Sequence, residues 1–203
     1  MKYVKMLGLA AVAAAALTAF VGAGTASATV LCKEGITTGC ASAGKAYPAG
    51  TTVEASLEGS AELVAGGFIE DTCTGSTIKG TTSTAGSSTT TVSGNATSLT
   101  WSNCTFPTTT TKLGSLEIHW ISGTDNGTLT ASGFEVTIHQ LFGDCVYSSG
   151  ANNDLGTVKG GNPATIAIKT SVTGGGAFGC PSTATWTAAY TVTAPKPLFV
   201  SSS

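Results

Sequence analysis

The sequence predicts an all-β fold, an antiparallel β-sandwich or barrel-like domain of about ten strands stapled by disulfides. Three observations predict it. Apolar and polar residues alternate with period two in several stretches. Turn signals built on Gly, Pro and Asn separate those stretches. An even set of cysteines follows an export-type N-terminus.

The alternation is clearest near the C-terminus. Ala184, Trp186, Ala188, Tyr190, Val192 and Ala194 fall on one face, with Thr183, Thr185, Thr187, Ala189, Thr191 and Thr193 on the other. Side chains of an extended chain point alternately to opposite sides, so this stretch has an apolar inner face and a hydroxyl-rich outer one. Pro195 and Pro197 end the pairing, because neither donates a ladder hydrogen bond. Shorter alternating runs cover residues 53–58, 116–120, 134–139 and 164–169. Weaker candidates lie at 68–74, 76–80, 97–101, 128–131, 145–148 and 155–159. No stretch after residue 28 carries an apolar stripe of helical period.

Turn signals fill the gaps: Pro48-Ala49-Gly50, Gly66-Gly67, Asp125-Asn126-Gly127, Ser132-Gly133, 149–154, 160–163 and 174–176. Asn126-Gly127 is a hairpin cue, since both residues tolerate the positive φ that a tight turn requires. Residues 81–91 are Ser, Thr and Gly-rich and are expected to form a loop or hairpin tip. No fixed-period repeat is present, which argues against a solenoid.

The N-terminus has the three parts of a secretory signal. Lys2 and Lys5 give a positive start, residues 6–21 are uncharged and apolar, and Ala26-Ser27-Ala28 fits the small-x-small cleavage pattern. The run is Ala-rich and breaks at Gly22 and Gly24, so it suits a cleaved signal better than a spanning helix. Leu31 before Cys32 disfavours a lipoprotein site, and the absence of arginine disfavours a twin-arginine route. The expected organisation is a Sec-type signal peptide, residues 1–28, and one secreted β-domain, residues 29–203.

Export places Cys32, Cys40, Cys73, Cys104, Cys145 and Cys180 in an oxidising compartment, where they are expected to form three disulfides. Spacing alone leaves the connectivity open. Order along the chain suggests Cys32–Cys40, Cys73–Cys104 and Cys145–Cys180. The long spacings and the absence of a C-x-x-C pair argue against a zinc site.

After cleavage, seven lysines face eleven acids, a net charge of −4. A nucleic-acid binder needs clustered Lys and Arg, so no nucleic-acid partner is expected, and polybasic attachment to anionic lipid is excluded likewise. Charged residues make up 10% of the chain while Thr, Val and Ile abound, which favours strands over disorder.

One cluster has the residue types of a metal or acid–base site. His119 and His139, with Glu117 and Glu135, alternate with apolar residues on two strands that sit on the non-core face and are candidate neighbours. Two imidazoles and two carboxylates on one face would suit a divalent metal or a proton-transfer pair. The competing reading is that these are the solvated positions of half-exposed strands, with convergence set by an unknown register. Glu70 with Asp71, and Glu117 with Glu135, are possible carboxylate pairs for glycoside hydrolysis, a composition equally expected of solvated strand faces. No G-x-S-x-G elbow or phosphate loop occurs. Asn95, Asn103 and Asn126 begin Asn-x-Thr triplets, the acceptor pattern for N-glycosylation, read here as incidental.

The chain resembles a group of uncharacterised secreted β-rich proteins of high-GC Gram-positive (actinobacterial) bacteria. The resemblance rests on Val30-Leu31-Cys32-Lys33, Tyr47-Pro48-Ala49-Gly50-Thr51, Trp101-Ser102-Asn103-Cys104 and Leu116-Glu117-Ile118-His119. It continues through Cys180-Pro181, Trp186, Tyr190, Val192-Thr193, Pro195 and Pro197-Leu198. It implies export and β structure and brings no activity or functional residue with it.

The expected function is therefore a secreted or cell-surface, non-enzymatic structural, adhesive or binding domain, without a cofactor. Its partner would be cell-wall or extracellular glycan or protein, met through hydroxyl-rich strand faces. The alternatives are a small secreted hydrolase or metal-binding protein using the His/Glu cluster, and a membrane β-barrel or pore component.

Overall fold

The computed structural model describes residues 28–203 except 142, 177 and 178, and the side chains of that set except 68–70. Apart from Ala28, the expected signal peptide lies outside the described residues. The described chain holds thirteen strands: β1 (Val30–Cys32), β2 (Thr52–Ala65), β3 (Phe68–Thr82), β4 (Val92–Cys104), β5 (Thr108–Lys112), β6 (Ser115–Trp120), β7 (Gly127–Ser132), β8 (Glu135–Gln140), β9 (Gly143–Ser148), β10 (Asn153–Lys159), β11 (Thr165–Gly176), β12 (Thr183–Ala194) and β13 (Phe199–Ser201). None of these residues is helical, and no helix among them is long and apolar enough to cross a membrane.

Eight strands close into an antiparallel barrel, β10-β7-β6-β4-β3-β2-β12-β11, with β11 pairing back to β10. Five of them, β2, β3, β4, β11 and β12, are 12–15 residues long and outreach the barrel. The long strands therefore change partners midway. On β11, Thr165–Ile168 pair with β10, whereas Thr173–Gly176 pair with β9. Strands β9, β8 and β5 continue the sheet from there. The Trp101 indole N–H of β4 donates to Thr110 Oγ1 of β5 at 3.0 Å, so the second half curls back toward β4.

The bulges lie where the halves meet. β2 shifts register against β3 between Ser56 and Ala61, and β4 shifts against β3 near Thr97. The inward set consequently changes phase. On β3, Asp71 and Cys73 are buried in one half, then Ser76 and Thr82 in the other. On β4, Val92 and Ala96 give way to Leu99. A bulge adds a residue to one strand only and re-aims the side chains beyond it. Closure also depends on Gly156, at the β10 bulge. Its φ is +145°, and a Cβ there would stand 2.1 Å from the Ala167 carbonyl oxygen of β11.

The interior holds two apolar cores, one per half. Leu31, Leu129, Leu155, Val158, Tyr190 and Val192 lie in the first, and Ile138, Tyr147, Val172 and Ala184 in the second. Fully burying one Leu or Val side chain contributes roughly 1.5–3 kcal/mol. β1 and β13 pair as a two-stranded ribbon that sends Leu31 and Val200 into the first core. The chain thus resumes pairing after Pro195 and Pro197, where the sequence placed its end. Disulfides Cys32–Cys40, Cys73–Cys104 and Cys145–Cys180 are formed, in chain order. The first fixes the ribbon, the second bridges directly opposed residues of β3 and β4, and the third ties β9 to the approach of β12. Bridges of this kind persist in oxidising compartments.

Candidate functional site

β6 and β8 are not neighbours. β6 pairs with β4 and β7, and β8 with β5 and β9. The expected His119/His139/Glu117/Glu135 cluster divides accordingly. His119 Nε2 lies 3.6 Å from Glu117 Oε2, two residues back on its own strand. His139 Nδ1 lies 2.9 Å from Asp144 Oδ1 across the β8–β9 hairpin, and its Nε2 is 3.0 Å from Thr109 Oγ1. Glu135 accepts from Thr111 Oγ1 at 3.0 Å. All four side chains of the two His–carboxylate pairs are a third or more exposed.

Among the described residues, one group of three potential metal ligands lies within 4.8 Å: Asp71, Cys73 and Cys104. Its two sulfurs are joined to each other, and a disulfide sulfur is not the thiolate a metal binds. Zinc chloride at 1 mM is accordingly expected to leave the melting temperature within about 1 °C of its value in EDTA. His119→Ala and His139→Ala should each cost under about 1 kcal/mol, the usual worth of an exposed pair. A zinc-dependent stabilisation abolished by either substitution would contradict this placement.

Asp71 is not on a solvated strand face, as its pairing with Glu70 suggested. It is 4% exposed. Its oxygens accept the Phe106 backbone N–H at 3.1 Å and the Thr108 hydroxyl. A buried carboxylate needs such partners, and here they fasten the β4–β5 connection. The side chain of Glu70 lies outside the described residues.

The outer surface is built from hydroxyls. β12 turns Ala184, Ala188, Tyr190 and Val192 inward, with Thr183, Thr185, Thr187 and Thr193 exposed, as the alternation predicts. Pairing extends that strip sideways. Thr165 of β11 opposes Thr191 of β12, which opposes Ser56 of β2, then Thr77 of β3 and Thr100 of β4. Five hydroxyl residues thus stand in register across five strands, a span of roughly 19 Å at about 4.8 Å per strand, with Thr100 exposed and the Thr191 hydroxyl oxygen sealed from solvent. The sequence displayed only the row along β12, since the row across strands exists only once register is set. On β4, β6 and β7 the same face forms a polar groove of about 260 Å³, lined by Ser93, Asn95, Ser115, Glu117, Ser132 and Asn152.

The inside has the opposite character. An apolar cavity of about 110 Å³ lies within the eight-stranded barrel, among Leu99, Leu129, Phe134, Ile168, Val192 and Trp186. A second chamber, of about 60 Å³, lies in the other half. Leu99, Phe134, Ser149 and Trp186 border both. The Trp186 indole packs edge-on against Trp101, with centroids 6.0 Å apart. Its N–H is sealed from solvent and has no acceptor among the described protein atoms. Tyr190, also bordering the barrel cavity, is 2% exposed and its hydroxyl lies 3.0 Å from Ser76 Oγ. Burial pushes its pKa up to about 12, against the opposing pull of the Ser76 hydrogen bond.

Comparison with protein-family models, with curated proteins and with solved structures finds no match. The functional reading therefore stands on geometry and chemistry alone.

Proposed function

We propose that this protein is a secreted, non-enzymatic binding domain that meets neutral cell-wall or extracellular glycan through its hydroxyl-bearing outer face. The observation that carries this reading is the in-register row Thr165, Ser56, Thr77 and Thr100, interrupted at Thr191, whose hydroxyl is covered, together with exposed Thr183, Thr185, Thr187 and Thr193 along β12. Threonine is stiff at χ1, so a paired row presents hydroxyls and methyls with little side-chain entropy left to lose on binding. A sugar polymer offers the complementary surface, hydroxyls at regular spacing and apolar C–H faces. The net charge of −4 disfavours polyanionic ligands and leaves neutral ones. The disulfides and the signal-like N-terminus, cut near Ala28, support an extracellular location, free or wall-associated. The apolar interior and hydroxyl exterior invert the pattern of a lipid-facing barrel, which weighs against a pore.

Pelleting of the purified, disulfide-bonded protein with wall sacculi stripped of anionic polymer tests the reading. The protein is expected to co-sediment, and Thr77→Ala with Thr100→Ala should weaken retention at least about fivefold, with the melting temperature held. Protein left wholly in the supernatant would end the binding claim. Release of soluble sugar fragments during incubation would instead favour a hydrolase.

A further inference from the structure

We infer that Thr109 is a nucleophilic acyl acceptor, its hydroxyl proton taken by His139, which Asp144 orients, as the oxygen attacks an activated ester or thioester. The acyl group is left on the protein. The site lies on β5, β8 and β9, apart from the row that ends at Thr100, and does not depend on the glycan reading. One geometry carries it. His139 Nε2 stands 3.0 Å from Thr109 Oγ1, and His139 Nδ1 stands 2.9 Å from Asp144 Oδ1. Hydroxyl, imidazole and carboxylate linked in that order are the nucleophile, base and orienting group of an activated alcohol.

The fold sets the alignment. β9, β8 and β5 are consecutive neighbours at one end of the large sheet. His139 directly opposes Asp144 in the β8–β9 register. Its backbone N–H donates to the Pro107 carbonyl at 2.9 Å, two residues before Thr109. Cys145, buried and bridged to Cys180, anchors the chain beside Asp144. An ionised carboxylate only accepts hydrogen bonds, so Nδ1 carries the proton of the neutral ring and Nε2 is left as the acceptor. The Thr109 hydroxyl therefore donates to Nε2, the arrangement that proton abstraction needs. The neighbouring threonines of β5 are engaged otherwise. Thr108 donates to Asp71, Thr110 receives the Trp101 indole N–H, and Thr111 donates to Glu135.

The substrate class follows from the trio. Thr109 is exposed, and the His139 and Asp144 side chains are 40% and 55% exposed, so a donor reaches the hydroxyl without opening the fold. A carbonyl carbon requires a nucleophile and a base, whereas phosphoryl transfer requires cations that this trio lacks. Oγ1 bonds to the carbonyl carbon while its proton passes to His139 Nε2. The tetrahedral adduct then collapses, the donor's C–O or C–S bond breaks, and the departing phenoxide or thiolate takes that proton. Hydrolysis of the resulting threonine ester would have to expel a far more basic alkoxide. Acylation therefore outruns release, and the acyl group accumulates.

Incubation of the intact, disulfide-bonded protein with p-nitrophenyl acetate tests this. Peptide mass spectrometry is expected to find one acetyl group on Thr109. Hydroxylamine should remove it, since it is an ester, and should leave acetyl groups on lysine, which are amides. His139→Ala should slow Thr109 acetylation at least about a hundredfold, the usual contribution of a general base. Thr109→Val should abolish the labile acetyl, and Thr109→Ser should keep it. Asp144→Asn should slow the reaction at least about tenfold and Asp144→Glu should recover most of the loss, a rescue that a merely structural role would not show. Lysine acetylation should be unchanged in every variant, which reports an intact surface. Absence of a hydroxylamine-labile acetyl at Thr109, or equal labelling in the parent and His139→Ala, would overturn the assignment. So would p-nitrophenol release that His139→Ala abolishes while Thr109 stays unmodified. Sacculus retention should be the same before and after acetylation, so failure of either site is separable from failure of the other.

Discussion

Cys73→Ala combined with Cys104→Ala is expected to lower unfolding stability by about 3–4 kcal/mol. The two residues are opposed on β3 and β4, and their bridge closes a sequence separation of 31 residues. Closing a loop of that length removes about 3–4 kcal/mol of unfolded-state entropy, whereas the separation of 8 closed by Cys32–Cys40 gives only about 2–3 kcal/mol. Cysteine pair 73/104 also lies beside Asp71, whose hydrogen bonds hold the start of β5. Urea denaturation of the double variant against the parent checks both numbers. A drop in midpoint, with a slope equal to or steeper than the parent's because the unbridged unfolded chain is less compact, fits the entropic account, with a melting temperature roughly 7–15 °C lower. A loss no larger for the 73/104 pair than for Cys32→Ala with Cys40→Ala would count against it.

Alkaline pH is the second large lever, through Tyr190. Its folded pKa of about 12 lies above the ordinary value of 10.0, because burial disfavours the phenolate. Between those values the folded state holds a proton that the unfolded state releases. The stabilisation is therefore complete below pH 10 and is lost as pH rises from 10 toward 12. A shift of two pKa units corresponds to about 2–3 kcal/mol. Tyr190→Phe removes this dependence while leaving the Ser76 hydroxyl without its partner, a cost of about 1 kcal/mol at neutral pH. Urea unfolding at pH 9, 10, 11 and 11.5 should show the parent falling toward the variant. Parallel curves would contradict the assignment.

β12 was legible because its alternation is unbroken over its whole length and every inward residue is apolar. β3 was not, and its two halves read as separate strands. The bulged register between them moves the inward set from Asp71 and Cys73 to Ser76 and Thr82, and alternation detects only one phase at a time. β5 carries four consecutive threonines and a lysine, so it offers no apolar period at all. β1 and β13 are three residues each, too short for any periodicity. The His/Glu cluster failed for a different reason. Face can be read from period, but adjacency is set by topology, and topology puts His119 on β6 and His139 on β8, strands that share no partner. The cavity at Trp186 was invisible for the same cause. Its residues come from most strands of the barrel, and the unfilled volume between them exists only after closure.

That closure is the central claim, since the outward hydroxyl rows and the apolar chamber both follow from it. It depends on β10 pairing with β7 on one side and β11 on the other. Cross-strand backbone NOEs test it most directly. The closed barrel predicts contacts from Val158 to both Gly127 and Ile166, and from Gly156 to both Leu129 and Ile168. Contacts to β7 with none to β11 would mean an open sheet, and would remove the chamber together with the inside-out polarity built on it.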